Sequence, residues 1–235
     1  DAVNFAPDNA VTASEAFGIS ISWSEISTSG GAGALTNVAN AVRAVESGLA
    51  KYVLCLAGGA QDVAMFHQRI SRFNSAISDY LTPHGFGGMP GIFALVQQKH
   101  MLQFGTTREQ FGKLAVDFRI NAQHNENALL RGPMSLDDYL NAPLIAEPLR
   151  LFDCVLPCAG AEAILVGPLD RAAAGKGVRL LAARERHNHV PGEIAPVRGG
   201  WEAFRDELYQ QAGYAAREMD FVQVYDDFPV MAAMQ

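Results

Sequence analysis

The stretch that decides the fold lies at residues 22–59. It begins Ser22-Trp-Ser-Glu-Ile-Ser-Thr-Ser-Gly-Gly-Ala-Gly-Ala-Leu35 and ends Tyr52-Val-Leu-Cys-Leu-Ala-Gly-Gly59. The pattern predicts a strand at residues 19–26, a glycine-rich turn, a helix at about residues 32–47 and a strand at residues 52–57, the last buried on both faces. A turn that opens a helix gathers backbone N–H groups, so a nucleophile or an oxyanion site is readily built there.

Composition limits the classes of partner. The 235 residues carry a net charge of −7 with a pI near 5.3, and basic residues form no cluster, which disfavours nucleic acid and anionic membranes. The three cysteines, Cys55, Cys154 and Cys158, show no zinc spacing, so we expect no metal site. Their number suits a reducing cytoplasm, and the sequence contains no signal peptide and no apolar run long enough for a membrane span. We therefore expect a cytoplasmic protein.

Alternation of helix and strand patterns along the rest of the chain predicts α/β layers. Glycines and prolines crowd residues 82–90, which predicts an irregular loop around His84. A capping box at Thr106-Thr-Arg-Glu109 predicts the start of a helix, and Ser135 starts a short one. Further helices are expected at residues 9–17, 92–104 and 201–212, and further strands at residues 161–166, 178–183 and 221–225.

Six short motifs together resemble the thiolase superfamily, most closely its sterol-carrier and lipid-transfer branch. The resemblance spans nearly the whole chain. The motifs are Ser29-Gly-Gly-Ala-Gly-Ala-Leu35, Glu46-Ser-Gly-Leu-Ala50, Phe104-Gly-Thr-Thr-Arg-Glu-Gln110, Ile145-Ala-Glu-Pro-Leu-Arg-Leu-Phe-Asp-Cys154, Gly160-Ala-Glu-Ala163 and Val224-Tyr-Asp-Asp-Phe228.

The resemblance implies a thiolase-like layered α/β fold. Residues 1–167 would form a nearly complete N-terminal half with a helical loop insertion at about residues 60–145. Residues 168–235 would form the start of a C-terminal half. The family's later Gly-His-Pro and Cys-x-Gly-Gly motifs are absent from this sequence, so we expect a truncated chain.

The family's nucleophilic cysteine, which normally stands at the glycine turn, is missing. Ungapped counting back from Gly48 places Gly31 at that position, whereas gapped alternatives place Ser27, Thr28 or Ser29 there. A serine would lack thiolate character and would need a base. An acyl-cysteine mechanism is therefore in doubt, and we expect Ser29, Gly30 and Gly31 to bind substrate at the thioester oxygen.

Tyr225 is the catalytic candidate. Its segment resembles the position where related thiolases carry an Asn or a His that holds a water or a substrate oxygen, and thiolase-like aldolases of steroid side-chain breakdown use tyrosine. A tyrosine can exchange a proton with a hydroxyl group. The alternative is a core tyrosine at a strand end. Asp226 and Asp227 fit a structural role better, such as helix capping, and His84 is a candidate for lining the substrate pocket.

Three functions follow. The leading one is an enzyme that cleaves a β-hydroxyacyl-CoA by a retro-aldol reaction, with the coenzyme A thioester as substrate and no cofactor. The alternatives are a thiolase-type acetyl-CoA acyltransferase and a non-catalytic acyl-CoA or lipid-binding subunit. The resemblance also implies a homodimer and a possible small partner protein that joins a zinc ribbon to an OB fold, without nucleic acid or membrane.

Overall fold

A computed structural model describes residues 9–27, 29–59, 64, 77–156, 158–173, 175–193 and 195–235. The described helices are α1 Asn9–Phe17, α2 Gly33–Glu46, α3 Gly88–Phe104, α4 Arg108–Gln123, α5 Leu136–Leu140, α6 Trp201–Ala212 and α7 Pro229–Met234. The described strands are β1 Val53–Gly59, β2 Leu144–Ala146, β3 Leu149–Arg150 and β4 Gly160–Val166. The expected mixture of helices and strands is confirmed.

The chain divides into two compact units, which interleave along the sequence. The first contains Asp1–Asp62, Cys158–Glu185 and Phe204–Phe221, and the second contains Val63–Pro157, Arg186–Ala203 and Val222–Gln235. The expected division at residues 167 and 168 stays a prediction.

Strands β1 and β4 form an antiparallel pair in the first unit, in a register that runs from Val53–Val166 to Gly59–Gly160. A Cβ atom on Gly58 would lie 2.6 Å from the Cα of Ala161, so this close crossing of the two backbones requires glycine. The prediction that β1 is buried on both faces is wrong, because Leu54 is 42% exposed and the other residues of β1 are only partly buried.

Helix α2 packs on this strand pair through small residues. The helical spacing of Leu35, Val38 and Val42 predicts one apolar face for this helix. The buried alanines are Ala41 and Ala44, whereas Leu35 is 78% exposed. Alanines let the helix axis approach the sheet closely, and the larger apolar side chains then lie beside the contact line. The expected apolar face is therefore shifted around the helix.

The second unit holds a hydrophobic cluster. Helices α3, α4, α5 and α7 and strand β3 contribute buried members, among them Phe111, Tyr139, Leu149, Phe228 and Val230. Helix α5 lies so close to α4 that a Cβ atom on Gly112 would meet the Tyr139 ring at 2.6 Å. The segment that carries Tyr225 runs directly into this cluster.

Capping boxes start α4 and α5, as predicted, although the first is displaced by one residue. Thr107 is the N-cap of α4: its hydroxyl accepts from the Gln110 N–H at 3.4 Å, and the Gln110 side chain accepts from the Thr107 N–H at 2.9 Å. Ser135 and Asp138 make the same reciprocal contacts at α5. These local bonds satisfy N–H groups that the helix itself leaves free.

Three predicted strands are wrong. Residues 19–26, 178–183 and 221–225 form no strand, although their side-chain patterns suit one. A strand forms only where a neighbouring strand accepts and donates its backbone hydrogen bonds, and none of the described strands pairs with these segments.

Candidate active site

Tyr225 and Asp227 make the contact that defines the candidate site. The Tyr225 hydroxyl donates to Asp227 Oδ2 at 2.6 Å. Residues 221–226 are irregular, and Asp227 follows Tyr225 by two residues, close enough for the two side chains to meet. Tyr225 is 43% exposed, so part of this side chain lies at the surface while its hydroxyl is bound to a carboxylate.

The surroundings favour the neutral phenol. Partial burial and the hydrogen bond to Asp227 raise the pKa of Tyr225 above its ordinary value. Partial burial also raises the pKa of Asp226, and the neighbouring Asp227 charge acts in the same direction. At neutral pH, the Tyr225 phenol is therefore protonated and acts as a proton donor. It can accept a proton from a ligand only if it passes its own proton to Asp227 at the same time.

Helix α7 supports this segment. Phe228 is its N-cap and makes no side-chain capping bond, and neither Asp226 nor Asp227 caps the helix, so their expected capping role is wrong. Pro229 and Val230 are buried at its start. The sequence signal that could have identified Asp227 is its two-residue spacing from Tyr225.

The glycine turn lies in the first unit. Ser29 is the N-cap of a 3₁₀ turn, Gly30–Ala32, which leads into α2. Gly30 has φ +60°, a conformation that favours glycine, and a Cβ atom on Gly33 would lie 2.9 Å from Ser27 Oγ. The local structure therefore explains why glycine occupies positions 30 and 33. Ser29 and Gly31 are exposed, as a substrate-binding role requires.

His84 lies in the second unit, with Tyr225. It ends the 3₁₀ turn Thr82–His84, which Gly85 terminates with φ +88°, and it is exposed. Ser29, Gly30 and Gly31 lie in the first unit. Thr28, an alternative position for the missing nucleophile, falls outside the described residues.

Two of the three cysteines, Cys154 and Cys55, are poorly suited to nucleophilic catalysis. Burial raises the pKa of Cys154 to about 11, and burial raises the pKa of Cys55 in β1 as well. Cys158 is exposed. All three are free thiols.

In the part of the chain that the structure describes, no three His, Cys, Asp or Glu side chains are grouped as a metal ion would require. In the same part, no helix has both the length and the apolar character needed to cross a membrane.

A buried polar network, which sequence reasoning missed, organises the second unit near the Ile145–Cys154 motif. Asp153 is 2% exposed and accepts from Arg108 at 2.9 Å, from the Arg150 N–H at 2.7 Å and from the Tyr139 hydroxyl. The Arg108 guanidinium also lies 4.8 Å from the centroid of the Tyr139 ring. The network connects α4, α5 and the turn after β3, and we assign it to stability.

Two proteins illustrate what the chain resembles in sequence. The benzoylsuccinyl-CoA thiolase subunit BbsB of Thauera aromatica is 26% identical over 195 residues, which cover 81% of this chain and 50% of that protein. The 17-hydroxy-3-oxo-4-pregnene-20-carboxyl-CoA lyase of Mycobacterium tuberculosis is 32% identical over 151 residues, which cover 61% of this chain and 39% of that protein. No protein-family model matches the chain.

A solved structure of an Ltp2-ChsH2(DUF35) aldolase has the same fold. It aligns with a TM-score of 0.77 and 25% identity over 99% of this chain and 64% of that one. The chain therefore spans half or less of the length of these two sequence relatives, and under two thirds of the solved chain.

Proposed function

We propose that this chain, which is thiolase-like in sequence and in fold, belongs to a lyase that cleaves a β-hydroxyacyl-CoA by a retro-aldol reaction. The observation that carries the proposal is the Tyr225–Asp227 hydrogen bond, which joins a proton donor to a proton acceptor on an exposed segment. A lyase of a hydroxylated acyl-CoA and an aldolase stand among the proteins that the chain resembles.

The proposed reaction balances with these two side chains. The β-hydroxyl of the substrate gives its proton to the Tyr225 oxygen while the phenol gives its own proton to Asp227. The C–C bond between the α and β carbons breaks, the β carbon becomes a carbonyl, and the electron pair moves into the thioester enolate. The proton held by Asp227 is then returned, through Tyr225 or solvent water, to the α carbon of that enolate, which gives the shortened acyl-CoA and restores both side chains. The reaction is redox-neutral, and we propose that it uses no cofactor besides the coenzyme A thioester itself.

The glycine turn has a separate role in this proposal. We propose that Ser29, Gly30 and Gly31, which lie in the first unit, bind acyl-CoA, since backbone N–H groups suit a thioester oxygen. The start of a helix favours negative charge, and α2 begins directly after this turn. We propose that His84 lines the acyl-CoA site.

A thiolase-type acyltransferase is the second candidate, because the BbsB thiolase subunit aligns with more of this chain than the lyase does. That chemistry needs a nucleophile for the acyl group. No cysteine stands at residues 27–31, and the pKa values of Cys55 and Cys154 are raised. We therefore place this function second. A non-catalytic acyl-CoA or lipid-binding subunit remains the third.

We further propose a multi-subunit, cytoplasmic protein. The name of the solved aldolase joins two components, Ltp2 and ChsH2, and a small zinc-ribbon and OB-fold protein is our proposed partner for this chain. Self-association as a homodimer is the second part of this proposal. Edge strands are common places for pairing between chains, and among the described strands β1 and β4 each have one neighbour.

The test uses the complete protein with any partner subunit. It is incubated with 17-hydroxy-3-oxo-4-pregnene-20-carboxyl-CoA and with a straight-chain 3-hydroxyacyl-CoA, and products are followed by mass spectrometry. The proposal expects a carbonyl product and a shortened acyl-CoA. Tyr225→Phe should reduce the rate about 10²- to 10⁴-fold, the range for a general acid–base group. Tyr214→Phe, the same change at a tyrosine of the other unit that is 51% exposed, should leave the rate unchanged.

Other products would overturn the proposal. Acyl exchange with free coenzyme A, without C–C cleavage, would establish the acyltransferase. Binding of both thioesters without turnover would establish the non-catalytic subunit.

A further inference from the structure

Gln235 bonds to both backbone groups of Tyr225. Its Oε1 accepts from the Tyr225 N–H at 3.2 Å, and its Nε2 donates to the Tyr225 carbonyl at 2.9 Å. A neighbouring β-strand normally supplies such a two-sided contact. None of the described strands pairs with residues 221–226. The amide of Gln235 therefore replaces a strand at this single residue.

The amide group is itself held in place. Gln235 Nε2 also donates to the Met231 carbonyl of α7 at 2.9 Å. Helix α7 is anchored at both ends, because Val230 is fully buried and the indole N–H of Trp201 donates to the Met234 carbonyl at 3.0 Å. Gln235 thus connects an anchored helix to a residue that lies ten positions earlier in the chain.

We propose that Gln235 is a positioning residue for Tyr225: its amide fixes the backbone of Tyr225 and thereby directs the phenol toward Asp227. This inference rests on the proposed lyase function, since the position of the phenol matters for turnover only if the phenol takes part in the reaction. Among the described residues, the hydrogen bonds of the Gln235 side chain go to the backbone of Tyr225 and of α7.

The phenol position depends strongly on this backbone contact. The hydroxyl lies at the far end of a long side chain, so a small rotation of the backbone moves it by a large distance. Tyr225 is 43% exposed, and its irregular segment offers it little other support. A displacement of about 1 Å in a reacting group can lower a rate by about 10²-fold.

A double-mutant cycle tests the role in the complete protein. Gln235→Leu should lower kcat by about 10- to 100-fold with KM nearly unchanged, because substrate binding does not involve this amide. Gln235→Glu should recover part of the loss, since a carboxylate can still accept from the Tyr225 N–H. In a Tyr225→Phe background, Gln235→Leu should cause no further loss.

A matched control variant separates the role of Gln235 from a general effect of losing a glutamine. Gln223→Leu removes an exposed glutamine from the same segment and should leave kcat unchanged. The same fold-loss from Gln235→Leu in both backgrounds, or an unchanged kcat, would overturn the positioning role.

The role of Gln235 can also be tested without measuring enzymatic activity, through the pKa of Tyr225. Ring-labelled tyrosine is titrated by NMR, with the Tyr225 signal assigned by its absence in Tyr225→Phe. Release from Asp227 in Gln235→Leu should move the pKa of Tyr225 down toward its ordinary value of about 10. An unchanged pKa of Tyr225 in Gln235→Leu overturns the inference about Gln235. A wild-type protein that cleaves no substrate overturns the lyase proposal instead, and the titration then decides by itself whether Gln235 positions Tyr225.

Discussion

The rings of Phe93 and Phe228 are stacked, with their centroids 4.3 Å apart and their planes at 15°. Phe93 belongs to α3, and Phe228 directly follows the Tyr225-Asp226-Asp227 segment. Phe228 is 3% exposed, so this contact lies inside the hydrophobic cluster of the second unit. The stack therefore attaches the candidate catalytic segment to the core, and the site geometry depends on core packing.

Phe228→Ala should lower the free energy of unfolding by about 3–5 kcal/mol, because it leaves a cavity and removes the aromatic contact. Urea denaturation followed by circular dichroism measures the change. Phe221→Ala removes the same side chain where it is 79% exposed, and we expect a change within about 0.5 kcal/mol. Equal effects of the two substitutions would show that the stack does not stabilise the protein.

Asp153→Asn should destabilise the protein by about 3–5 kcal/mol, because it leaves the largely buried Arg108 guanidinium without its charged partner. Asp117→Asn is the control. Asp117 pairs with Lys113 at 2.8 Å on an exposed helix surface, where such a pair contributes at most about 0.5 kcal/mol. Thermal and urea unfolding of both variants compare a buried with an exposed ion pair. A loss no larger than that of the control would contradict the assignment of Asp153 to stability.

Gln97→Met should stabilise the protein by about 1–3 kcal/mol. Gln97 has no exposed surface, and neither atom of its side-chain amide has a hydrogen-bonding partner among the described residues. Methionine has a similar length and avoids the free energy of burying an unpaired amide. Gln98→Met, at the exposed neighbouring position, should be nearly neutral. A destabilised Gln97→Met protein would show that the amide is satisfied by a bound water or ligand.

Iodoacetamide at pH 8 should label Cys158 and leave Cys154 and Cys55 largely unmodified. The thiolate is the reactive form, and burial raises the pKa of Cys154 to about 11 and also raises that of Cys55. Peptide mass spectrometry locates the label, and Cys158→Ser should abolish it. The Cys154 rate should increase as the pH approaches 11. Rapid labelling of Cys154 at pH 8 would restore a thiolate nucleophile to consideration.

Cleavage should show no loss of kcat/KM on the alkaline side below about pH 10. Since the pKa of Tyr225 is raised above its ordinary value of about 10, the neutral phenol that the mechanism needs persists up to that pH. A pH–rate profile of the wild type measures this limb. Asp227→Asn removes the proton acceptor and the charge that favour the neutral phenol, so it should lower kcat and shift the alkaline limb to lower pH. A wild-type profile that declines near pH 8 would contradict the role of Tyr225.

Local features were the most predictable part of the fold. The helices at residues 9–17, 32–47 and 201–212 are confirmed within one residue or so at each end, and the caps at Thr107 and Ser135 lie at or beside their predicted positions. The helix expected from residue 92 begins at Gly88, in a segment where glycine and proline predicted a loop. The packed face of α2 was missed because close packing selected its alanines rather than its larger apolar residues.

The sequence by itself determined most of the helix bounds, the glycine-rich turn before α2, the lack of a cysteine at that turn and the resemblance to the thiolase superfamily. Each depends on residue identity or on contacts within a few positions along the chain. Only the tertiary structure decided which strand-like segments found a partner, and which residues support Tyr225. The Gln235 amide reaches Tyr225 from ten residues away because α7 brings the chain back, and a contact of that kind depends on packing rather than on local pattern.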